Sequence, residues 1–190
     1  YLQGRGHARL GANDRALAHL QEALAAYEAL ADPAGIATTL TELGTLQRRQ
    51  GRHDEARASF TRALDLHEAR DDARGVAAIL VGLGAIDVLR GRYEEALSRY
   101  VRARSLYETA GDRRGTADAL HSVSRVYRRR GRYDEAREAQ ARALALREAV
   151  GDRRGVASSL NSLGILHWDQ GADDEALAAF TRSLALREGL

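Results

Sequence analysis

Apolar and polar positions along this chain alternate with a helical spacing, and the pattern recurs. Leu120, Val123, Ser124 and Tyr127 fall at i, i+3, i+4 and i+7, one face of a helix running from Arg113 to Arg130. After Gly131, a second apolar run (Ala136, Ala139, Gln140, Ala143, Leu144, Leu146) predicts another helix ending near Val150. The two form a pair, A then B. Matching columns step by 40 residues: Gly11, Gly51, Gly91, Gly131 and Gly171; Ala16, Ala56, Ala96, Ala136 and Ala176; Ala23, Ala63, Ala103, Ala143, then Ser183; Leu40, Leu80, Leu120 and Leu160; Gly35, Gly75, Gly115 and Gly155. A period of this length is the signature of a repeat array.

The punctuation between helices has a local mechanism. Asp32, Asp72, Asp112 and Asp152 stand where a carboxylate accepts from the free N–H groups at the start of helix A. Pro33, the one proline, follows at the first helical position, where a missing N–H is harmless. Gly111 and Gly151 are placed to end helix B in the left-handed conformation, with Asp71 and Ala31 filling that column earlier. Acid pairs such as Asp54-Glu55, Glu94-Glu95 and Asp134-Glu135 open helix B, where the dipole favours them. A lone pair cannot cover its apolar face, so pairs must stack. The expected fold is all-α: a right-handed α-solenoid of stacked antiparallel helix pairs, one array with a partial repeat at 1–30 and repeats at 31–70, 71–110, 111–150 and 151–190.

Composition narrows the functional classes. There is no cysteine and so no disulfide or thiolate metal site, which is compatible with the cytoplasm. All 29 basic residues are arginine, set against 27 acids, for a net charge of +2. That leaves no basic excess of the kind a nucleic-acid binder concentrates on one face, so no direct nucleic-acid partner is expected. No apolar run reaches the roughly 20 residues of a membrane span, and no membrane partner is expected. The first residue is Tyr1 and neither end carries a polar capping helix, so the chain is expected to be a fragment of a longer protein.

These columns resemble the tetratricopeptide repeat family. The third unit reads Leu83-Gly84, Asp87, Gly91, Tyr93, Ala96, Tyr100, Ala103; the fifth reads Leu163-Gly164, His167, Gly171, Asp173, Ala176, Phe180, Ser183. The resemblance covers the whole chain. The long period and the GDRRG segments resemble the lengthened repeats of Pins-type adaptors and kinesin light chains, and equally the sensor arrays of bacterial regulators; arginine-only usage favours the bacterial setting. Gln3 and Gln140 occupy apolar columns and Ser124 replaces a glycine, which reads as decay of the pattern.

Chemistry-bearing residues are mostly absorbed by the repeat. His7 and His167 align with Tyr127, His53 with Tyr93 and Tyr133, and His67 with Tyr27 and Tyr107, so they stand in for packing tyrosines. His19 is expected in solvent. No zinc-binding spacing is present, Gly82-Leu83-Gly84 lies inside a helix rather than after a strand, and no enzyme activity, metal or cofactor is expected.

The resemblance implies that helix A lines a concave surface. Helical spacing opposite the core face then assigns Thr38, Thr41, Thr45 and Arg48; Ala78, Val81, Ala85 and Val88; Asp118, His121, Arg125 and Arg128; and Ser158, Asn161, Ile165 and Trp168. The apolar stripe of the third unit, flanked by Arg48, Arg125 and Arg128, suits an acidic peptide with apolar anchors, Trp168 being a natural anchor. The resemblance also implies that Asn161 grips a peptide backbone. The expected function is a protein–protein interaction scaffold within a larger intracellular signalling or transcriptional regulator. The alternative is a self-associating or spacing module stacked through uncapped ends.

Overall fold

The computed structural model describes residues 13–189 in full and, of residues 2–12, only that they belong to the first helix. The elements are α1 (Leu2–Ala29), α2 (Pro33–Arg49), α3 (His53–Glu68), α4 (Ala73–Leu89), α5 (Tyr93–Thr109), α6 (Arg113–Arg129), α7 (Tyr133–Ala149), α8 (Arg153–Asp169) and α9 (Asp173–Glu188). Among the described residues there is no strand. The chain divides into two compact units, 1–86 and 87–190, the division falling in the last turn of α4. Each unit is built of helix pairs stacked side by side, the all-α solenoid class expected from the sequence. One helix, α1, stands where the period placed a clipped helix A, Gly11 and a helix B; Gln3, His7 and Gly11 lie outside the described residues.

Every link between helices uses the same turn. In the first, the Asp32 N–H donates to the Tyr27 carbonyl at 3.0 Å and the Ala31 N–H to the Glu28 carbonyl at 3.1 Å; in the next, Arg52 donates to Gln47 and Gly51 to Arg48. This is the Schellman closure, which needs a residue at positive φ just past the helix. That residue is Ala31, Gly51, Asp71, Gly91, Gly111, Gly131, Gly151 and Gly171 in turn, all at positive φ. The spacing is 20 residues, so the 40-residue period is two equal helices closed alike.

What separates A from B is the following N-terminus. Asp72, Asp112 and Asp152 accept the N–H of Gly75, Gly115 and Gly155, each at 2.9 Å. Asp32 accepts from Ala34 instead, with Pro33 at the first helical position. Helix B starts without a side-chain cap and carries its acids in the first turn. The Asp72 carboxyl is held below the usual range, first by the Gly75 N–H and then by His67. Its contribution to stability is therefore present above the ordinary carboxylate pKa and is lost as pH falls through the lowered value.

In the first unit the core joins Leu40, Ala56, Phe60, Ala63, Ile79, Leu83 and Ile86, flanked by Leu24, Ile36, Leu64 and Leu66. The Phe60 ring lies between two backbones: a Cβ on Gly44 would come within 2.8 Å of it and one on Gly82 within 2.6 Å. Gly82 thus serves packing. His67 is buried, with its Nδ1 2.8 Å from Asp72 and its Nε2 3.3 Å from the Thr41 hydroxyl, and its ring lies against Gly75. In the second unit the buried set includes Ala96, Tyr100, Ala103, Leu120, Val123, Ala136, Ala143, Leu160 and Leu166. His19 is exposed beside Glu22.

Two substitutions test this account. Ala31→Gly removes a Cβ from the left-handed region and is expected to raise stability by about 1 kcal/mol. Ala136→Leu forces a large side chain into a fully buried site and is expected to lower it by about 1–3 kcal/mol. Urea midpoints that move the opposite way would contradict the turn and packing assignments respectively.

Candidate functional site

Within the first unit, the surface stripe is largely engaged with its own helix. The Thr38, Thr41 and Thr45 hydroxyls donate to the carbonyls of Ala34, Ala37 and Thr41 at 3.0, 2.9 and 3.0 Å. Their protons are therefore committed within the helix. Val81 and Ala85 are half-buried and Ala78 is exposed. In the second unit, Val88 is half-buried.

The second unit gathers the other stripes into one recess. A cavity of about 200 Å³ opens between α6 and α8, lined by His121, Ser124, Arg125, Arg128, Ser158, Ser162, Ile165 and Leu166. Five of these belong to the stripes assigned from spacing; Ser124, Ser162 and Leu166 do not. Asn161 is half-buried, forms no side-chain hydrogen bond among the described residues, and does not line the recess. Trp168, one helical turn beyond Ile165, is 67 % exposed.

The two arginines at the recess differ. Arg128, expected to flank the apolar stripe, pairs with Asp169 at 2.9 Å, across from α6 to the end of α8. Arg125 is exposed and forms no hydrogen bond or ion pair among the described residues. Asp118 is also engaged: Arg147 Nη2 donates to its Oδ1 at 2.6 Å. Arg147 is only 5 % exposed, and its Nη1 donates to the Ser159 hydroxyl at 2.8 Å and the Gly155 carbonyl at 3.2 Å.

The polar character of the recess traces to a coordinated exchange of residues. Where the second and third repeats stack Gly44, Phe60 and Gly82, the fourth and fifth have Ser124, Gln140 and Ser162 in the same columns. Gln140 is fully buried and flat enough to leave room for the Ser124 side chain, whose hydroxyl donates to the Ala136 carbonyl at 2.7 Å. The Gln140 amide nitrogen points to the Ser159 carbonyl at 3.5 Å, and its oxygen lies 3.0 Å from His121 Nδ1. Ser124 and Gln140 are therefore a complementary pair rather than decay, since a buried amide is tolerated only when its hydrogen bonds are met. Elsewhere in the unit the original pairing survives, with Gly164 against the Phe180 ring.

His121 feels this environment. Burial lowers its pKa foremost; the Gln140 bond and Asp118 oppose that, and Arg147 and Arg125 reinforce it. Tyr107, buried against Gly115, is pushed up to about 12, chiefly by burial. Among the described residues no cluster of three or more His, Cys, Asp or Glu is placed to hold a metal, and no helix is long and apolar enough to cross a membrane. A larger cavity of about 420 Å³ lies at the α5–α6 turn, lined by Glu108, Gly111, Arg113, Thr116, Arg142, Ala145 and Leu146.

A sequence model described as tetratricopeptide repeat matches residues 1–69, 75–149 and 125–189, and a second of the same description matches 41–103. The chain belongs to the tetratricopeptide repeat family. Tetratricopeptide repeats form a protein–protein interaction scaffold, a fold that is generally non-catalytic. BtubC (BKLC) from P. vanneervenii is similar at TM-score 0.80 and 22% identity, over 96% of this chain and 76% of that one. MamA is similar at 0.63 and 24%, over 98% and 95%. A Rap protein complexed with competence and sporulation factor is similar at 0.85 and 18%, over 98% of this chain but only 52% of its own length. At these identities the likeness shows the fold. No curated protein matches this tetratricopeptide repeat chain by sequence.

The residue exchange is testable by a double-mutant cycle. Gln140→Phe alone drives a ring onto the Ser124 side chain, and Ser124→Gly alone leaves a gap. In a Ser162→Gly background, which clears the other face of the ring as Gly82 does for Phe60, the two together recreate the Phe60–Gly44 arrangement, with a favourable coupling of about 1–2 kcal/mol by thermal denaturation. Strict additivity would show that the two columns do not act together.

Proposed function

We propose that the second unit docks a segment of another protein along α6 and α8. Arg125 supplies the charge contact, Ile165 and Trp168 the apolar contacts, and His121, Ser158 and Asn161 polar contacts. The observation that carries this reading is the conjunction, on one pair of helices, of an unpaired arginine, a recess and an exposed tryptophan. Tryptophan and arginine are the residues most often found as hot spots in interfaces. The solved Rap protein complexed with competence and sporulation factor, on a similar fold, supports the same kind of use. Cation without a matching acid selects an acidic segment with apolar anchors. In the first unit Thr38, Thr41, Thr45, Arg48, Val81 and Ala85 are a further docking stretch, met through side-chain surface rather than hydroxyl donors. The setting we infer is a sensor region of a larger cytoplasmic signalling or transcriptional regulator, bacterial by its arginine usage.

A second reading rests on α9. Leu177 is 66 % and Leu184 57 % exposed, seven residues apart on one side of the helix. This supports end-to-end self-association. Arginine already occupies the same columns at Arg57, Arg137 and Arg104, so Leu177→Arg with Leu184→Arg is compatible with the repeat. Sedimentation mass that rises with concentration and falls back in this variant would support stacking; a concentration-independent monomer removes it.

For the leading reading, a displayed random-peptide library is selected on the intact chain. Enriched peptides are expected to be acidic with apolar residues, and to lose roughly tenfold in affinity with Arg125→Ala or Trp168→Ala, about 1.4 kcal/mol. Binders indifferent to both substitutions would place the docking surface elsewhere.

A further inference from the structure

The recess between α6 and α8 has a definite pattern of donors and acceptors. The Ser124 proton is committed to the Ala136 carbonyl and the Ser162 proton to the Ser158 carbonyl at 3.1 Å, so each of these recess-lining hydroxyls is left with acceptor capacity alone. Gln140 presents its oxygen to His121 Nδ1, an oxygen that can only accept, so that nitrogen carries the ring proton. In the neutral ring the remaining nitrogen, Nε2, is then a third acceptor. Ser158 forms no side-chain hydrogen bond among the described residues and can serve in either sense. Donors come from Arg125, which is free, while Arg128 is tied to Asp169. Ile165 and Leu166 supply an apolar wall.

Size restricts the occupant. About 200 Å³ is below the range of roughly 300–1,000 Å³ typical of whole small-molecule sites and suits a single side chain. A carboxylate would face three acceptors unless His121 gained a proton and two hydroxyls left their carbonyls. An ammonium or guanidinium would face Arg125 and Arg128. A primary amide meets every demand unchanged: its NH₂ gives two protons to the acceptors, its carbonyl accepts from Arg125, and its methylenes lie on Ile165 and Leu166.

We propose that this recess is a specificity site for a glutamine side chain of the docked segment. It rests on the docking reading given above and names one further residue of the ligand: Arg125 is exposed yet lines the recess, and its five N–H donors let it meet the segment's acid on the solvent side and the amide carbonyl on the recess side. His121 is the positioning acceptor, so protonation of its ring replaces an acceptor by a donor and closes the site. The charged groups acting on the ring are Arg147 from α7 and Arg125 and Asp118 from α6, with Arg128 also at the recess; α8 lines the recess with Ser158, Ser162, Ile165 and Leu166, none of them titratable. Burial already keeps the ring neutral below its ordinary range. Affinity for the amide is therefore complete above that range and falls as pH drops through the lowered value.

The test uses the intact chain and two probes, acetyl-glutamine amide and acetyl-glutamate amide, followed by the ring resonances of His121 at tens of millimolar probe. The glutamine probe is expected to shift those resonances, to bind more weakly on acidification, and to lose roughly fivefold in affinity with Ser162→Ala, an exchange that keeps the helix. The glutamate probe is expected to leave them in place. Equal or tighter binding of glutamate, affinity that rises on acidification, or no response to either probe overturns the proposal. Failure here with Arg125-dependent peptide binding intact discards the glutamine site alone. A response to the glutamine probe in a chain that captures no peptide discards the docking reading instead.

Discussion

The carbonyl three residues from the end of each helix accepts the N–H that closes the next turn, and this constraint organises the chain. It demands a link of fixed length and a residue at positive φ, met at 20-residue intervals from Ala31 to Gly171. Helices of equal length joined by equal links can stack in register without further instruction. The chain keeps the geometry even where its residue is poorly suited: Ala31 and Asp71 hold φ of 50° and 52°. Asp at such a position can bond locally, whereas Ala has no compensation. The asymmetry of A and B then arises from side chains, a carboxylate cap at one N-terminus and acids in the first turn at the other.

Given a uniform frame, what varies is the filling between helices. A ring lying on a glycine backbone is the default, as Phe60 on Gly44 and Phe180 on Gly164. The neighbouring inward pair follows a similar logic of complement. Gln47 accepts the Ser59 hydroxyl proton at 2.8 Å, whereas in the next unit the same columns hold Asp87 and Arg99, which form an ion pair. Asp87 is fully buried, and Arg92 also reaches it at 2.7 Å, so its charge is met by two guanidiniums. A buried charge without such partners would be expelled or neutralised. Polar exchanges in this array therefore come in sets, because a single one would leave an unmet group.

That rule explains what could be read from the residues alone. The helices, their caps and the positive-φ positions follow from interactions within a few residues, such as Asp112 with Gly115, and the 40-residue period repeats each signal several times. Stripe positions on α6 and α8 also follow from helical spacing, which is why His121, Arg125 and Ser158 were assignable. Contacts between distant residues were not. Arg128 meets Asp169 across 41 positions and Asp118 meets Arg147 across 29, and neither pairing has a local signature. Ser124 and Gln140 each stand out alone as departures from their columns. The available signal was joint: Gly44, Phe60 and Gly82 change together to Ser124, Gln140 and Ser162, at unchanged spacing.

The consequence for function lies in how charge is apportioned. Several arginines of the second unit are matched within the fold: Arg147 by Asp118, Arg132 by Glu135 and the Tyr127 face, Arg137 by Asp134. The exposed pairs, Arg132 with Glu135 and Arg137 with Asp134, contribute little to stability, but every pair, the buried Arg147 included, removes a cation from the set available to a partner. Arg125 escapes because the positions one turn either side of it, His121 and Arg128, carry no acid, and α8 presents Ser158 and Ser162 opposite. An acid at either serine would have closed a bridge over the recess. Its absence leaves a cation met only by solvent, beside polar acceptors and an apolar wall, and this is the combination on which the proposed docking rests.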